Sequence, residues 1–69
     1  MNTQSVLIVG TGLLGTSLAL RLTDTWQVWL SDISPAAAAL ARDMGAGSLY
    51  DGKSVPDLVV VCAPPDVAG

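Results

Sequence analysis

The sequence predicts an α/β fold on a parallel sheet, with elements in the order β-α-β-α-(β)-β and incomplete on its own. Three observations lead there. Apolar, β-rich runs recur at residues 6–9, 26–30 and 58–63; helix-forming segments of about ten residues separate the first run from the second and follow the second; and a glycine cluster at 10–15 marks the first strand-to-helix junction.

Each element has its own local reason. Val6-Leu7-Ile8-Val9 is continuously apolar, as expected of a parallel strand covered on both faces. Past the glycines, Leu14, Leu18 and Leu22 recur at i, i+4 and i+8 with Ala19 beside them, which predicts a helix from Leu13 that fades near Asp24. Trp26-Gln27-Val28-Trp29-Leu30 alternates in part and predicts a second strand ending at Ser31-Asp32. Its tryptophans, three apart, are expected to point to opposite faces and to pack under the helices. Ser34-Pro35 supplies a hydroxyl N-cap and a first-turn proline for a helix through Met44, and Gly45 stands where a left-handed C-terminal cap is wanted. Ser48-Leu49-Tyr50 is read as a short third strand and Asp51-Gly52 as a turn. The last strand, 58–63, ends at Pro64-Pro65. Right-handed crossovers place the first strand centrally, with the second beside it and the last on its other side.

Composition excludes several functions. The 69 residues are 51% hydrophobic and 13% charged with net charge −3, and Arg21, Arg42 and Lys53 are the only basic side chains, too few for a nucleic-acid or anionic-membrane footprint. With no His and Cys62 as the single cysteine, neither a structural zinc site nor an intrachain disulfide can form, and Cys62 is read as a core residue. Such sparing use of cysteine suits a reducing, cytoplasmic setting. The apolar segment 6–20 lacks the basic flank of a signal peptide, and no run reaches the ~20 apolar residues of a membrane span. A domain this short buries only about 60% of its unfolded surface. Residues 1–69 are therefore expected to be the N-terminal portion of a larger domain, the rest of which lies outside this chain.

Gly10-Thr11-Gly12-Leu13-Leu14-Gly15 is G-x-G-x-x-G, directly after one predicted strand and opening a predicted helix. In a Rossmann-type, doubly wound sheet Gly10 allows the tight turn, Gly12 lets the backbone approach a pyrophosphate and Gly15 lets helix and strand pack closely. The free N–H groups at 12 to 14 and the helix dipole then face phosphates. Asp32 stands at the end of the second strand, roughly 20 residues past the loop, where an acidic residue accepts hydrogen bonds from the adenosine ribose. A carboxylate there repels a 2′-phosphate, and Ile33 and Ser34 supply no arginine to bind one, so NAD is expected over NADP. The remaining aspartates are read as solvated turn or helix-end charges.

Two patterns are decoys. Residues 47–54 match the P-loop pattern G-x-x-x-x-G-K-[ST], but a helix end precedes them and a strand follows, the inverse of the required context. Tyr50 and Lys53 are one residue short of a Tyr-x-x-x-Lys dehydrogenase pair and lie in a turn.

The segment 6–19, with Ser17-Leu18-Ala19 after the third glycine, resembles the opening of prephenate dehydrogenases. Ser31-Asp32 with Ile33-Ser34-Pro35 resembles the acidic strand end and next helix of that family, and residues 57–65 are similar to its D-L-V-x-x-A-x-P strand. The resemblance implies a parent enzyme that oxidatively decarboxylates prephenate or arogenate with NAD in tyrosine biosynthesis. It implies that Pro64 borders the dinucleotide, along with Gly10, Thr11, Gly12, Leu13, Leu14, Gly15 and Asp32. It also implies a homodimer formed through a C-terminal helical domain. No catalytic residue and no metal ligand is assigned within this chain, which alone is expected to be inactive. Two alternatives share the same opening: a β-hydroxyacid- or pyrroline-carboxylate-type dehydrogenase, and a non-enzymatic NAD-sensing module.

Overall fold

The computed structural model describes residues 4–62. Strand β1 (Gln4–Val9) leads into helix α1 (Leu13–Leu22), strand β2 (Trp26–Ser31) and helix α2 (Pro35–Asp43), then strands β3 (Ser48–Leu49) and β4 (Leu58–Val61). The sheet has the order β3-β2-β1-β4, with every pair parallel. This is the expected arrangement: β1 lies between β2, in the register Val6↔Val28, and β4, in the register Val6↔Leu58.

The core follows from strand alternation. Val6, Ile8, Val28 and Leu30 point to one face and pack with Ala19 of α1, Ala41 of α2 and Ala46. Alanines here let both helices approach the sheet closely. Both helices therefore cover the same face, as two successive right-handed crossovers in one direction require. Strand β1 is buried on both faces as expected, Val6 and Ile8 on the helix side and Leu7 on the other, whereas β4 leaves Val59 and Val61 exposed on the face it shares with Leu7 and Val9.

Two further expectations change. Leu14 does not belong to the buried stripe of α1 and is 80% exposed. The face that packs is Gly15, Leu18, Ala19 and Leu22, spaced i, i+3, i+4, i+7, because the close approach at Gly15 turns that side of the helix to the sheet. The two tryptophans point to opposite faces as expected, and Trp26 packs on the helix-side core, but Trp29 is not under the helices and meets Tyr50, with ring centroids 5.9 Å apart and planes tilted by 49°.

Helix α2 is capped at both ends. The Ser34 hydroxyl accepts the Ala37 N–H at 3.3 Å, with Pro35 in the first turn. At the other end Gly45 adopts φ 88°, and the Ala46 and Gly45 N–H groups donate to Ala41 and Arg42 carbonyls at 3.1 and 2.9 Å. That is a Schellman closure, and it buries Ala46 completely. The Arg42–Asp43 ion pair beside it is exposed and contributes little.

Cys62 is half-buried against the core, and its N–H donates to the Val9 carbonyl at 2.7 Å, which extends the β1–β4 ladder by one step. Ala63, the expected last residue of that strand, and Pro64, the expected neighbour of the dinucleotide, lie outside the described residues. Among the described residues no helix is long and apolar enough to cross a membrane.

Candidate functional site

The register of the sheet brings the glycine loop and Asp32 together. Val9 pairs with Ser31, and the Gly10 N–H continues that ladder by donating to the Ser31 carbonyl at 2.8 Å. The next residues on the two strands are then Thr11 and Asp32. Gly10 takes φ 94°, which an L side chain rarely adopts, so the chain can turn sharply from β1 into α1.

The three glycines hold different positions. Gly15 is locked by packing: an added Cβ would fall on the Gly10 carbonyl oxygen, 3.0 Å from its carbon and 3.4 Å from the Cβ of Cys62. Gly12 is the N-cap of α1 with φ −64° and ψ −164°, an extended conformation open to any residue, and an added Cβ would meet no atom of the described residues within 4 Å. Among the described residues no side chain caps this helix end. The N–H groups of its first turn have no intrahelical carbonyl to bond, and they carry the positive end of the helix dipole. Leu13 and Leu14 project from that turn into solvent. An open groove of about 370 Å³ starts at Thr11 and Gly12 and runs between the helices to Leu40 and Met44. A smaller hollow of about 210 Å³ adjoins Asp32, between Pro35 and Tyr50.

Asp32 is held by three donors. Its Oδ2 accepts the Thr11 N–H at 2.7 Å and the Thr11 hydroxyl at 2.8 Å, and its Oδ1 accepts the Ser34 N–H at 2.8 Å. The Ser34 N–H, followed by the Thr11 N–H and then the Thr11 hydroxyl, lowers the carboxyl pKa below its ordinary value, against a small opposing effect of desolvation. Asp32 is therefore a carboxylate at neutral pH. A depressed folded-state pKa adds stability above the unfolded-state value of 3.8, which is lost as pH falls through the folded value. The unfolding midpoint should be insensitive to this group between roughly pH 5 and 7 and drop below about pH 4. Asp51, lowered by Ser54 and Lys53, acts in the same direction. Asp32→Asn should thus flatten part of the acid slope in a denaturation series; an unchanged slope would remove Asp32 from the account.

Sequence reasoning placed Asp32 near the loop but missed the two donors of Thr11. Those bonds follow from the parallel register, Val9 against Ser31, which brings the residue after Gly10 within reach of Asp32 and which the sequence does not spell out. It also missed Asp57, which is not merely a solvated turn charge. Asp57 Oδ2 accepts the Ser5 N–H at 2.7 Å and the Ser5 hydroxyl at 3.1 Å, pinning the start of β4 to β1 at the opposite end of the sheet. Asp51 is the turn residue expected, accepting the N–H groups of Lys53 and Ser54 at 2.8 and 2.9 Å. The P-loop pattern forms no strand-to-helix cradle: β3 passes through this turn into β4. Tyr50 is likewise structural, its hydroxyl donating to the Ser54 carbonyl at 2.6 Å. Among the described residues no cluster of His, Cys, Asp or Glu could hold a metal.

A parallel β3-β2-β1-β4 sheet, two helices on one face and a glycine loop between β1 and α1 define the Rossmann-like α/β class, present here in part. Among characterised proteins, the chain is 38% identical over 63 residues to one described as "Probable prephenate dehydrogenase NovF" from Streptomyces niveus. The match covers 90% of this chain and 17% of that protein's length. The resemblance to prephenate dehydrogenases thus extends over nearly the whole chain. No family model matches it, and no solved structure does.

Proposed function

We propose that residues 1–69 are the N-terminal portion of a dinucleotide-binding domain that seats the adenosine and pyrophosphate end of NAD in a prephenate or arogenate dehydrogenase. The observation that carries this is Gly12. It has ordinary dihedrals and, among the described residues, open space where a side chain would be, so neither the turn nor the packing described calls for a glycine there. A ligand approaching the backbone does.

The residues present fit such a group. Gly10 turns the chain, Gly12 leaves room above the backbone, and the N–H groups of Gly12, Leu13 and Leu14 offer donors to a pyrophosphate at the positive end of α1. Asp32, ionised and fixed against the loop, offers acceptor capacity to ribose hydroxyls and repels a 2′-phosphate, which favours NAD over NADP. Gly15 completes the proposed seat by packing α1 against the loop, and the family resemblance adds Pro64, outside the described residues, as a neighbour of the dinucleotide. When bound, NAD supplies the hydride acceptor. The base and the substrate-binding groups lie outside this chain, so the chain alone is inactive and the parent enzyme, a cytoplasmic homodimer of tyrosine biosynthesis, completes the site.

Asp32→Ser in the full-length protein tests this. NAD binding should weaken by about 1–3 kcal/mol, the cost of losing a hydrogen bond to a charged group. The substitution also removes the Thr11 and Ser34 bonds, so the NAD-to-NADP affinity ratio is the cleaner readout, because a general loss of stability does not move it. Calorimetric titration of both cofactors should show that ratio fall; an unchanged ratio and unchanged NAD affinity would end the assignment.

A further inference from the structure

We infer that Thr11 is a positioning residue: it fixes the Asp32 carboxylate for ribose recognition instead of contacting the cofactor itself. The inference rests on the NAD-binding reading above and adds a second residue to its specificity device.

Thr11 is 5% exposed, so its side chain faces inward from the loop. Both of its donors, the N–H and the hydroxyl, converge on one oxygen, Asp32 Oδ2, at 2.7 and 2.8 Å. Its carbonyl is held in turn by the Thr16 hydroxyl at 2.6 Å, inside α1. The other carboxylate oxygen, Oδ1, is tied to the Ser34 N–H, one residue before α2 begins. A continuous series of hydrogen bonds therefore runs from α1 through Thr11 and Asp32 to the cap of α2. It determines both the position of the carboxylate and the plane in which it lies.

This arrangement has a consequence for selectivity. An aspartate at a strand end can rotate about χ1 and χ2, and a freely turning carboxylate loses entropy on binding a diol. With Oδ2 taken by two donors, the acceptor capacity left on Oδ1 has one defined direction. A ribose hydroxyl then meets a fixed acceptor, and a 2′-phosphate meets a fixed negative charge. The Thr11 N–H, bonded to Asp32, is not among the donors left for a phosphate, which distinguishes Thr11 from Gly12, Leu13 and Leu14 within the same loop.

The test uses the full-length protein with four variants: Thr11→Val, Thr11→Ser, Asp32→Ala and the Thr11→Val/Asp32→Ala pair. Thr11→Val keeps the shape and removes the hydroxyl, and should weaken NAD binding by about tenfold, the effect of one lost bond to a charged group. Thr11→Ser restores the donor and should bind within about twofold of the wild type. In the Asp32→Ala background Thr11→Val should change nothing further, since its partner is gone. Carboxyl NMR titration, which needs no cofactor and no activity, should show the Asp32 pKa rise in Thr11→Val and return in Thr11→Ser. Equal weakening by Thr11→Val with and without Asp32 overturns the inference, as does failure of Thr11→Ser to rescue. Wild-type protein that binds neither NAD nor NADP overturns the cofactor reading and this inference with it, whereas normal NAD binding by Thr11→Val overturns this inference alone.

Discussion

Gly15→Ala should unfold the protein or leave it severely weakened, although alanine is the better helix former. Inside a helix the exchange of Gly for Ala ordinarily gains about 1 kcal/mol. Here the new Cβ would fall on the Gly10 carbonyl oxygen, with the Gly10 carbon at 3.0 Å and the Cys62 Cβ at 3.4 Å. The obstructing atoms are backbone, so no rotamer change relieves the clash. Relief requires α1 to lift from the sheet, which opens the contacts of Leu18, Ala19 and Leu22 with the core. Alternatively the turn at Gly10 must shift, and its N–H bond to Ser31 goes with it. Overpacking of this kind costs about 1–3 kcal/mol or more, and in this case the cost exceeds the propensity gain. Urea denaturation of the full-length protein should show a midpoint well below the wild type, or no cooperative transition at all. A midpoint equal to or above the wild type would mean that α1 does not pack on the Gly10 turn as described.

Legibility in the sequence differed between the strands and the faces they cover. The order of elements could be read because each start and stop carries its own chemistry: Gly10 at the first turn, the Ser34-Pro35 cap, Gly45 at the Schellman closure. Even β3, only two residues long, was legible as a strand at 48–50, while its place at the edge beside β2 came from the structure. Burial was harder. A continuously apolar strand gives the same pattern whether one face or both are covered, and the exposed Val59 and Val61 were not distinguishable from the partly buried Val60 by composition. Leu14 failed for a related reason. The i, i+4, i+8 leucines describe a stripe, but the contact at Gly15 decides the rotation of the helix, and a periodicity in leucine carries no information about a residue without a side chain. Within the site, the glycine spacing and Asp32 were legible as a motif. The bonds from Thr11 were not, because they depend on a register between strands that are distant in sequence. Ser5 and Asp57 repeat this at the other end of the sheet, where a hydroxyl residue on β1 and an aspartate just ahead of β4 again bond through both an N–H and an O–H donor.

Gly12→Val should abolish NAD binding while leaving the fold nearly intact, the converse of the outcome at Gly15. The dihedrals of Gly12, φ −64° and ψ −164°, lie in extended backbone that valine tolerates, and the added Cβ meets no atom of the described residues within 4 Å. Valine is a poorer N-cap than glycine, by about 1 kcal/mol. Restricting the unfolded chain returns about 0.4–1 kcal/mol, so the two effects largely cancel. The thermal midpoint should therefore stay close to the wild type. The binding consequence is of a different size. In the proposed seat a pyrophosphate comes over position 12 to reach the N–H groups of the first turn of α1, and two methyl groups there would occupy that volume and screen the donors. NAD affinity should fall by more than about a hundredfold, some 3 kcal/mol. Both quantities are measured on one preparation, by calorimetric titration with NAD and by differential scanning calorimetry without it. A folded Gly12→Val protein that binds NAD as the wild type does would show that this open end of α1 is not where phosphate sits. A protein that fails to fold would show that Gly12 serves the turn after all. The two glycines stand three residues apart on one helical turn and share one motif, yet the space around each differs: closed by backbone at Gly15, open to solvent at Gly12. Only the second kind of space can be filled by a ligand.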